Sequence, residues 1–193
     1  AFSACTSLKS IIIPNGITTI CGETFQGCTK LDTITIPNTV TSIEKDAFKG
    51  TEWLKNERIK NPLVVVNNIL IDGTNCKGDI VIPDNVVSIG ERAFSLNKSL
   101  DSVTIPNSIK NIRDFAFAYT PIATLNIPSG VTTLGNGIVA FCENLQSVYV
   151  AYANPTAISD QVFIAYDPKT WQQTGNINAT LYVPKGTKSV YEK

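Results

Sequence analysis

The stretch Leu31 to Phe48, LDTITIPNTVTSIEKDAF, reads Leu-x-x-Ile-x-Ile-Pro-Asn-x-Val-x-x-Ile, then four residues, then Phe. The same frame begins at Leu8 (LKSIIIPNGITTICGETF) and again at Leu100 (LDSVTIPNSIKNIRDFAF). A frame returning at a fixed spacing of this length predicts stacked turns, each one repeat. The Ile-Pro prolines keep the register: Pro14, Pro37, Pro83, Pro106 and Pro128 are separated by 23, 46, 23 and 22 residues, and 46 is two periods. A second column repeats the message through Phe2, Phe25, Phe48, Phe94, Phe117, Phe141 and Phe163.

Each part of the frame has a physical reading. The last two apolar residues of Leu-x-x-Ile-x-Ile alternate, so both point to one face of an extended strand. Pro ends the strand because it donates no ladder hydrogen bond. The Asn or Asp that usually follows (Asn15, Asn38, Asp84, Asn107) suits a turn. Val/Ile-x-x-Ile (Val40 and Ile43, Ile109 and Ile112) brings the chain back along a second wall. Ala-Phe (Ala47-Phe48, Ala93-Phe94) then sends a ring into the core. One turn alone cannot bury this set of side chains, whereas stacked turns bury it as one continuous core. The expected fold is mostly β: a solenoid of ~23-residue repeats, with a parallel sheet of short strands on the concave face and turns or 3-10 segments on the convex side.

The chain reads as one solenoid over 1–193, with regular repeats at 1–53 and 77–150. Residues 54–76 are a decorated repeat. Leu54 holds the place of a repeat start, but three and five residues on stand Glu57 and Ile59. Thr51-Glu52-Trp53-Leu54-Lys55 can open a short helix with Thr51 as N-cap. Leu63-Val64-Val65-Val66, Asn67-Asn68 and Ile69-Leu70-Ile71 then read as a hairpin whose tight turn tolerates positive φ. After the strand at Leu145, Val148 and Val150, residues 151–177 are irregular, and Leu181-Tyr182-Val183-Pro184 returns to strand-Pro form. Solenoids need an atypical terminal turn, and 151–193 is the candidate cap. Phe2 stands where Phe25 and Phe48 stand, so the chain opens in mid-repeat and reads as a piece of a longer one.

Composition narrows the function. Lys+Arg and Asp+Glu are both 16, so the formal net charge is zero. That removes the electrostatic case for nucleic acid or an anionic membrane as partner. No apolar run approaches the ~20 residues that cross a bilayer, so no membrane insertion is expected. There is no histidine, the commonest general base and metal ligand. Of the five cysteines, Cys5 and Cys28 share one place in the repeat and read as neighbours in a column of small packed side chains, with a disulfide the less favoured alternative. No Cys-x-x-Cys pair suggests zinc.

With IPNTVTSIEKDAF and IPDNVVSIGERAF in view, the chain resembles the BspA-like leucine-rich repeats, which repeat Leu-x-x-Ile-x-Ile-Pro-x-x-Val-x-x-Ile-Gly-x-x-Ala-Phe. The match covers most of residues 1–150, and the LYVPKGTKSVY ending is similar to closing segments of that family. The resemblance implies a curved right-handed solenoid in bacterial or protist secreted or cell-surface proteins, often acting in adhesion or protein binding. It implies no catalytic residues and no cofactor. Two departures stand out: the insert at 54–76, and two extra residues between Pro128 and Phe141.

The concave sheet is the usual ligand face of a solenoid. One outward position lies between the two inward residues of each strand: Ile12, Thr35, Val81, Thr104, Asn126 and Tyr149 in turn. Lys9, Asp32, Asp101, Thr124 and Gln146 flank it. Thr35, Thr104, Asn126 and Tyr149 are the candidate ligand-binding residues, for an extracellular protein or a glycan. The blander reading is a solvated strand surface. Tyr149, Tyr152 and Trp171 are expected to cluster as an aromatic anchor. The loop at Asn67-Asn68 is expected to protrude, as a binding loop or an edge-covering hairpin. Asp72-Gly73-Thr74-Asn75 starts like a calcium loop but lacks the later ligands. Asn97-Lys98-Ser99 and Asn178-Ala179-Thr180 fit the glycosylation pattern. Glu44 and Asp46, or Glu91 and Asp114, could pair as catalytic carboxylates, though solvated charge is the ordinary reading of turn residues. The functional expectation is a non-catalytic binding or adhesion module at the cell surface, against a structural spacer that holds other domains apart.

Overall fold

The computed structural model describes residues 1–152, 159, 161–167 and 169–191. The first two turns contain β1 (Ser10–Ile12), β2 (Thr19–Ile20), β3 (Thr33–Thr35) and β4 (Ser42–Ile43). The decorated repeat follows with α1 (Glu52–Lys60), β5 (Val64–Val66) and β6 (Ile69–Asp72). Regular turns resume with β7 (Gly78–Val81), β8 (Ser88–Ile89), β9 (Leu100–Thr104), β10 (Asn111–Ile112), β11 (Thr124–Ile127), β12 (Thr133–Leu134) and β13 (Ser147–Val150). The C-terminal part holds β14 (Ile164–Tyr166), β15 (Gln173–Asn176), β16 (Thr180–Tyr182) and a single helical turn, α2 (Lys188–Tyr191).

The two walls form as the frame dictates. The first wall pairs in parallel β1 with β3, β7 with β9, and β11 with β13 and β16, with Ile11 opposite Ile34, Ile80 opposite Val103 and Leu125 opposite Val148. Short strands stack in parallel on the second wall, with Ile20 opposite Ile43 and Ile89 opposite Ile112. The antiparallel hairpin β5–β6 joins this second wall through β6 against β8. Its turn residues Asn67 and Asn68 have φ of 47° and 65°, the left-handed pair that a two-residue hairpin requires.

A third edge closes each turn, and in the regular repeats it carries two left-handed residues. One column is Glu23, Asp46, Arg92, Phe115 and Gly137; the other is Ala4, Gly27, Gly50, Leu96, Tyr119 and Phe141. Backbone bonds between successive turns fix the register here. Phe25 N–H donates to Ala47 O, Phe94 to Ala116 O and Phe117 to Ile138 O, each at 2.8 Å. Phe117 is therefore level with Val139, not Phe141. The ring position lies 11 residues after Pro in both repeats, so the two extra residues inferred from Phe141 do not exist. Val139 is fully buried in the core, while Phe141 stands outside it, stacked on Tyr119 at 4.2 Å. Likewise Val162 is buried in the next turn and Phe163 only partly so.

Gly73 occupies the ring position of the decorated repeat, its N–H bonded to Ala93 O at 2.6 Å. A Cβ there would lie 2.4 Å from the Phe94 ring. The space towards Phe48 is filled instead by Trp53, whose ring centroid is 4.7 Å away. Two core clusters result, one from Ile13 to Ile69 and one from Leu70 to Val162, meeting at the hairpin.

Three residues beyond each ring position runs a polar column: Cys5, Cys28, Thr51, Cys76, Asn97, Thr120 and Cys142. Several of its members add a side-chain donor to turn carbonyls, most of which also accept a backbone N–H. Cys28 Sγ donates to Phe2 O at 3.0 Å, Thr51 Oγ1 to Phe48 O at 2.7 Å and Cys142 Sγ to Phe117 O at 3.1 Å. Asn97 Nδ2 donates to both Gly73 O and Cys76 O at 2.9 Å. The thiols of this column are free; Cys28 is buried and Cys5 is exposed.

Candidate functional site

The outward row of the first wall forms as the alternation requires. Ile12 stands opposite Thr35, Val81 opposite Thr104, and Asn126 opposite Tyr149. All six are exposed, Ile12 at 75% and Val81 at 69%. The structure thus places Thr35, Thr104, Asn126 and Tyr149 on one face, but not in one continuous ladder. Hydrogen-bonded pairing runs β1–β3, then β7–β9, then β11–β13–β16. Between β3 and β7 the strand is replaced by α1, whose first turn meets the preceding repeat through Trp53 N–H to Leu31 O at 2.7 Å. Thr35 is accordingly separated from Thr104 by the break.

The row changes character along its length. Near β1 and β3 the flanking residues include Lys9 and Asp32, the latter accepting from Thr33 Oγ1 at 2.8 Å. Across β7 and β9, Ser102 Oγ donates to Asp79 Oδ1. On β11, β13 and β16 no outward residue is charged: Thr124, Ser147 and Thr180 line up in one row and Asn126, Tyr149 and Tyr182 in the next. Tyr149 and Tyr182 stack face to face, centroids 4.4 Å apart and planes 9° apart, and remain 42% and 45% exposed. Tyr182 is absent from the sequence-based candidates. The signal was legible: Leu181-Tyr182-Val183-Pro184 is the strand-Pro frame, and the residue between its two inward positions faces out.

The expected trio of Tyr149, Tyr152 and Trp171 does not form. Residues 151–177, read as irregular, contain the antiparallel hairpin β14–β15 among those described. It carries Trp171 to the turn edge, where the indole meets Tyr119 at 6.1 Å and Phe141 at 5.0 Å. Tyr166 packs there too, against Phe115 and Phe141. Lys98 lies over Tyr119 and Arg92 over Phe115. This aromatic group docks the terminal hairpin on the edge. Tyr152 packs instead against the core, and burial, then the neighbouring Tyr191, pushes its hydroxyl well above the usual phenol range.

The decorated repeat is tied down at its tip. Asn67 Nδ2 donates to Pro37 O at 2.8 Å and Val40 O at 2.9 Å, and Val87 N–H donates to Asn68 O at 2.8 Å. The hairpin therefore continues the second wall rather than protruding from it, because its turn side chain satisfies carbonyls of the preceding repeat. Thr51 caps α1 as expected, accepting from Leu54 N–H at 3.1 Å. Arg58 reaches from α1 to the buried Asp72 and to Thr74 Oγ1, so the loop that began like a calcium site has its carboxylate held by a guanidinium.

The other candidate groups have structural employment. Glu44 accepts from Gly22 N–H at 2.8 Å, Asp114 from Asn136 N–H at 2.9 Å, and Asp46 faces Lys49 at 3.5 Å and Arg92 at 3.8 Å. The Glu91 carboxyl is raised above the usual range, by burial first and by Asp114 second. Asn97 is buried with its amide bound to two carbonyls, so the first glycosylation pattern is closed to modification, whereas Asn178 is exposed.

The family model of the BspA type leucine rich repeat region matches residues 1–76 and 72–179, in six copies. No curated protein matches the chain. Among solved structures, one is a leucine rich cell surface protein from Faecalibacterium prausnitzii (22% identity, 99% of this chain and 63% of that one, TM-score 0.45). Another is a leucine-rich repeat protein of T. pallidum (28% identity, 78% and 64% covered, TM-score 0.34). A third is the pneumococcal vaccine antigen PcpA (15% identity, 96% and 65% covered, TM-score 0.45). This chain thus matches 63–65% of the length of each of these three.

Proposed function

Because the chain belongs to the BspA-type leucine-rich repeat family, we propose that it is a non-catalytic binding module of a secreted or cell-surface protein, with the outward strand face as its ligand surface. The observation that carries this is the exposed, in-register row that ends in Asn126, Tyr149 and Tyr182. Side chains on a rigid sheet present a fixed pattern to a partner at little ordering cost, and exposed aromatics are common anchors of such contacts. Thr35, Thr104, Asn126 and Tyr149 supply hydroxyl, amide and ring groups suited to an extracellular protein or glycan.

The test is a binding screen against immobilised extracellular-matrix proteins and polysaccharides, run beside the triple variant Thr104→Glu, Asn126→Glu, Tyr149→Glu. All three residues are exposed, so the substitutions should leave the fold intact by circular dichroism. Expected is a ligand retained by the unmodified chain and lost by the variant. Binding that survives the variant moves the site off this face. No binding by either protein favours the alternative, a spacer solenoid with no ligand of its own.

A further inference from the structure

We infer that the C-terminal end of the strand face is a subsite for an uncharged glycan, with Tyr149 and Tyr182 as its stacking platform. The inference rests on the strand-face reading above and narrows its ligand. Three observations converge. First, Tyr149 and Tyr182 are parallel at 4.4 Å and both remain more than two-fifths exposed. A ring pair held by neighbouring strands is preorganised, so little freedom is lost when a ligand packs on it. Second, the surrounding outward groups are the amide of Asn126 and the hydroxyls of Thr124, Ser147 and Thr180, in two aligned rows. Amides and hydroxyls both donate and accept, which suits the hydroxyl groups of a sugar. Third, no outward residue on these three strands carries charge, whereas Asp79 and Asp101 stand on the two strands before them.

A pyranose ring has an apolar C–H face and a rim of neutral hydroxyls. Tyr149 and Tyr182 cover each other's inner faces, so the face offered to the C–H surface is that of Tyr182 turned away from Tyr149, on β16 at the end of the sheet, with the polar rows beside it for the rim. An acidic glycan needs Arg or Lys to offset its charge, and these strands present neither. A protein hot spot typically combines aromatic anchors with Arg in a closed pocket. This surface is open and neutral.

The experiment is calorimetric titration of the chain with neutral hexasaccharides (cello-, malto-, xylo- and manno-) and with hexagalacturonate, at low and high salt. Tyr182→Ala, Tyr182→Phe and Trp171→Ala variants run beside it. Expected is binding of at least one neutral oligosaccharide that is insensitive to salt. Tyr182→Ala should weaken it by about tenfold or more, the scale of one lost ring contact. Tyr182→Phe keeps the ring and should stay within about threefold, and Trp171→Ala, at the other aromatic group, should bind as the unmodified chain does. Binding of hexagalacturonate alone, neutral binding indifferent to Tyr182→Ala, or no saccharide binding at all overturns the subsite. If the matrix screen still finds a protein ligand lost in the triple glutamate variant, only the glycan assignment falls. If that screen is also empty, the strand-face reading falls with it.

Discussion

Between Gly78 and Val150 each turn places a strand on the first wall, a short strand on the second and a buried ring-column residue in the core. Between Trp53 and Cys76 the first-wall strand is replaced by α1, the second-wall strand becomes a hairpin, and the ring column holds Gly73. The stack nevertheless continues across the difference. What passes through unbroken is the polar column, with Thr51 and Cys76 in place, and the core volume, with Trp53 standing in for the missing ring. The solenoid is held by filling and satisfying its interior, and the outward strand is the part that can be exchanged.

The sharpest way to break this comparison is to empty the ring column in a regular turn. Phe117→Ala removes a fully buried ring stacked on Phe94 and should cost about 3–5 kcal/mol in denaturant unfolding. Phe141→Ala, at a partly exposed position outside the core, should cost less than about half of that. Equal costs would return Phe141 to the column and undo the register given by the Phe117–Ile138 bond.

The complementary change restores the regular residue to the decorated repeat. Gly73→Phe follows the repeat, yet a Cβ at Gly73 already meets the Phe94 ring at 2.4 Å. Overpacking of this kind costs about 1–3 kcal/mol, occasionally more. A stabilised Gly73→Phe protein would mean that Trp53 is not a substitute for the ring and that the space is still open.

How far the sequence carried follows from these same residues. The periodic Leu, Ile and Pro positions are legible because strand alternation and proline punctuation act locally, and both walls appear where they are expected. Thr51 and the Asn67-Asn68 turn are legible for the same reason, since caps and two-residue hairpins are short-range chemistry. Phe141 misled because residue identity is weaker than register: Val139 can fill a ring position, and only the bond between turns reveals it. Gly73 was unreadable, because its place depends on Trp53 arriving from 20 residues earlier. Of the candidate site, Asn126 and Tyr149 are paired as expected, Tyr182 was overlooked within a visible frame, and Trp171 went to the turn edge with a hairpin that no local signal announced.

The polar column sharpens the comparison further. Asn97→Ala takes the side-chain donor from Cys76 O and from Gly73 O, which keeps only the Cys76 N–H, where the decorated and regular turns meet. Orphaned buried groups cost about 1–3 kcal/mol. Thr51→Ala, which loses the α1 cap, should cost about 1 kcal/mol. A neutral Asn97→Ala would show that the column is incidental to the joining of the two regions.

The smallest effect is read through the thiols. Burial, and then the repulsion of Asp72, push the Cys76 thiol from its ordinary value near 9 up to about 11. In the unfolded chain the same thiol ionises near 9, so between those values the unfolded state has lost a proton that the folded state keeps. Stability from this group is complete below pH 9 and declines as the pH rises towards 11. Unfolding midpoints measured from pH 8 upward should therefore fall less steeply for Cys76→Ala than for the unmodified chain, by a fraction of about 1 kcal/mol per pH unit. Alkylation gives the structural counterpart. In the native protein the exposed Cys5 and Cys21 should label first and the buried Cys28 and Cys76 only on unfolding, with all five labelled in denaturant. Early labelling of Cys76 but not of Cys28 would show that the stack opens at the decorated repeat before it opens among the regular ones, and that the join, not the ring column, limits its stability.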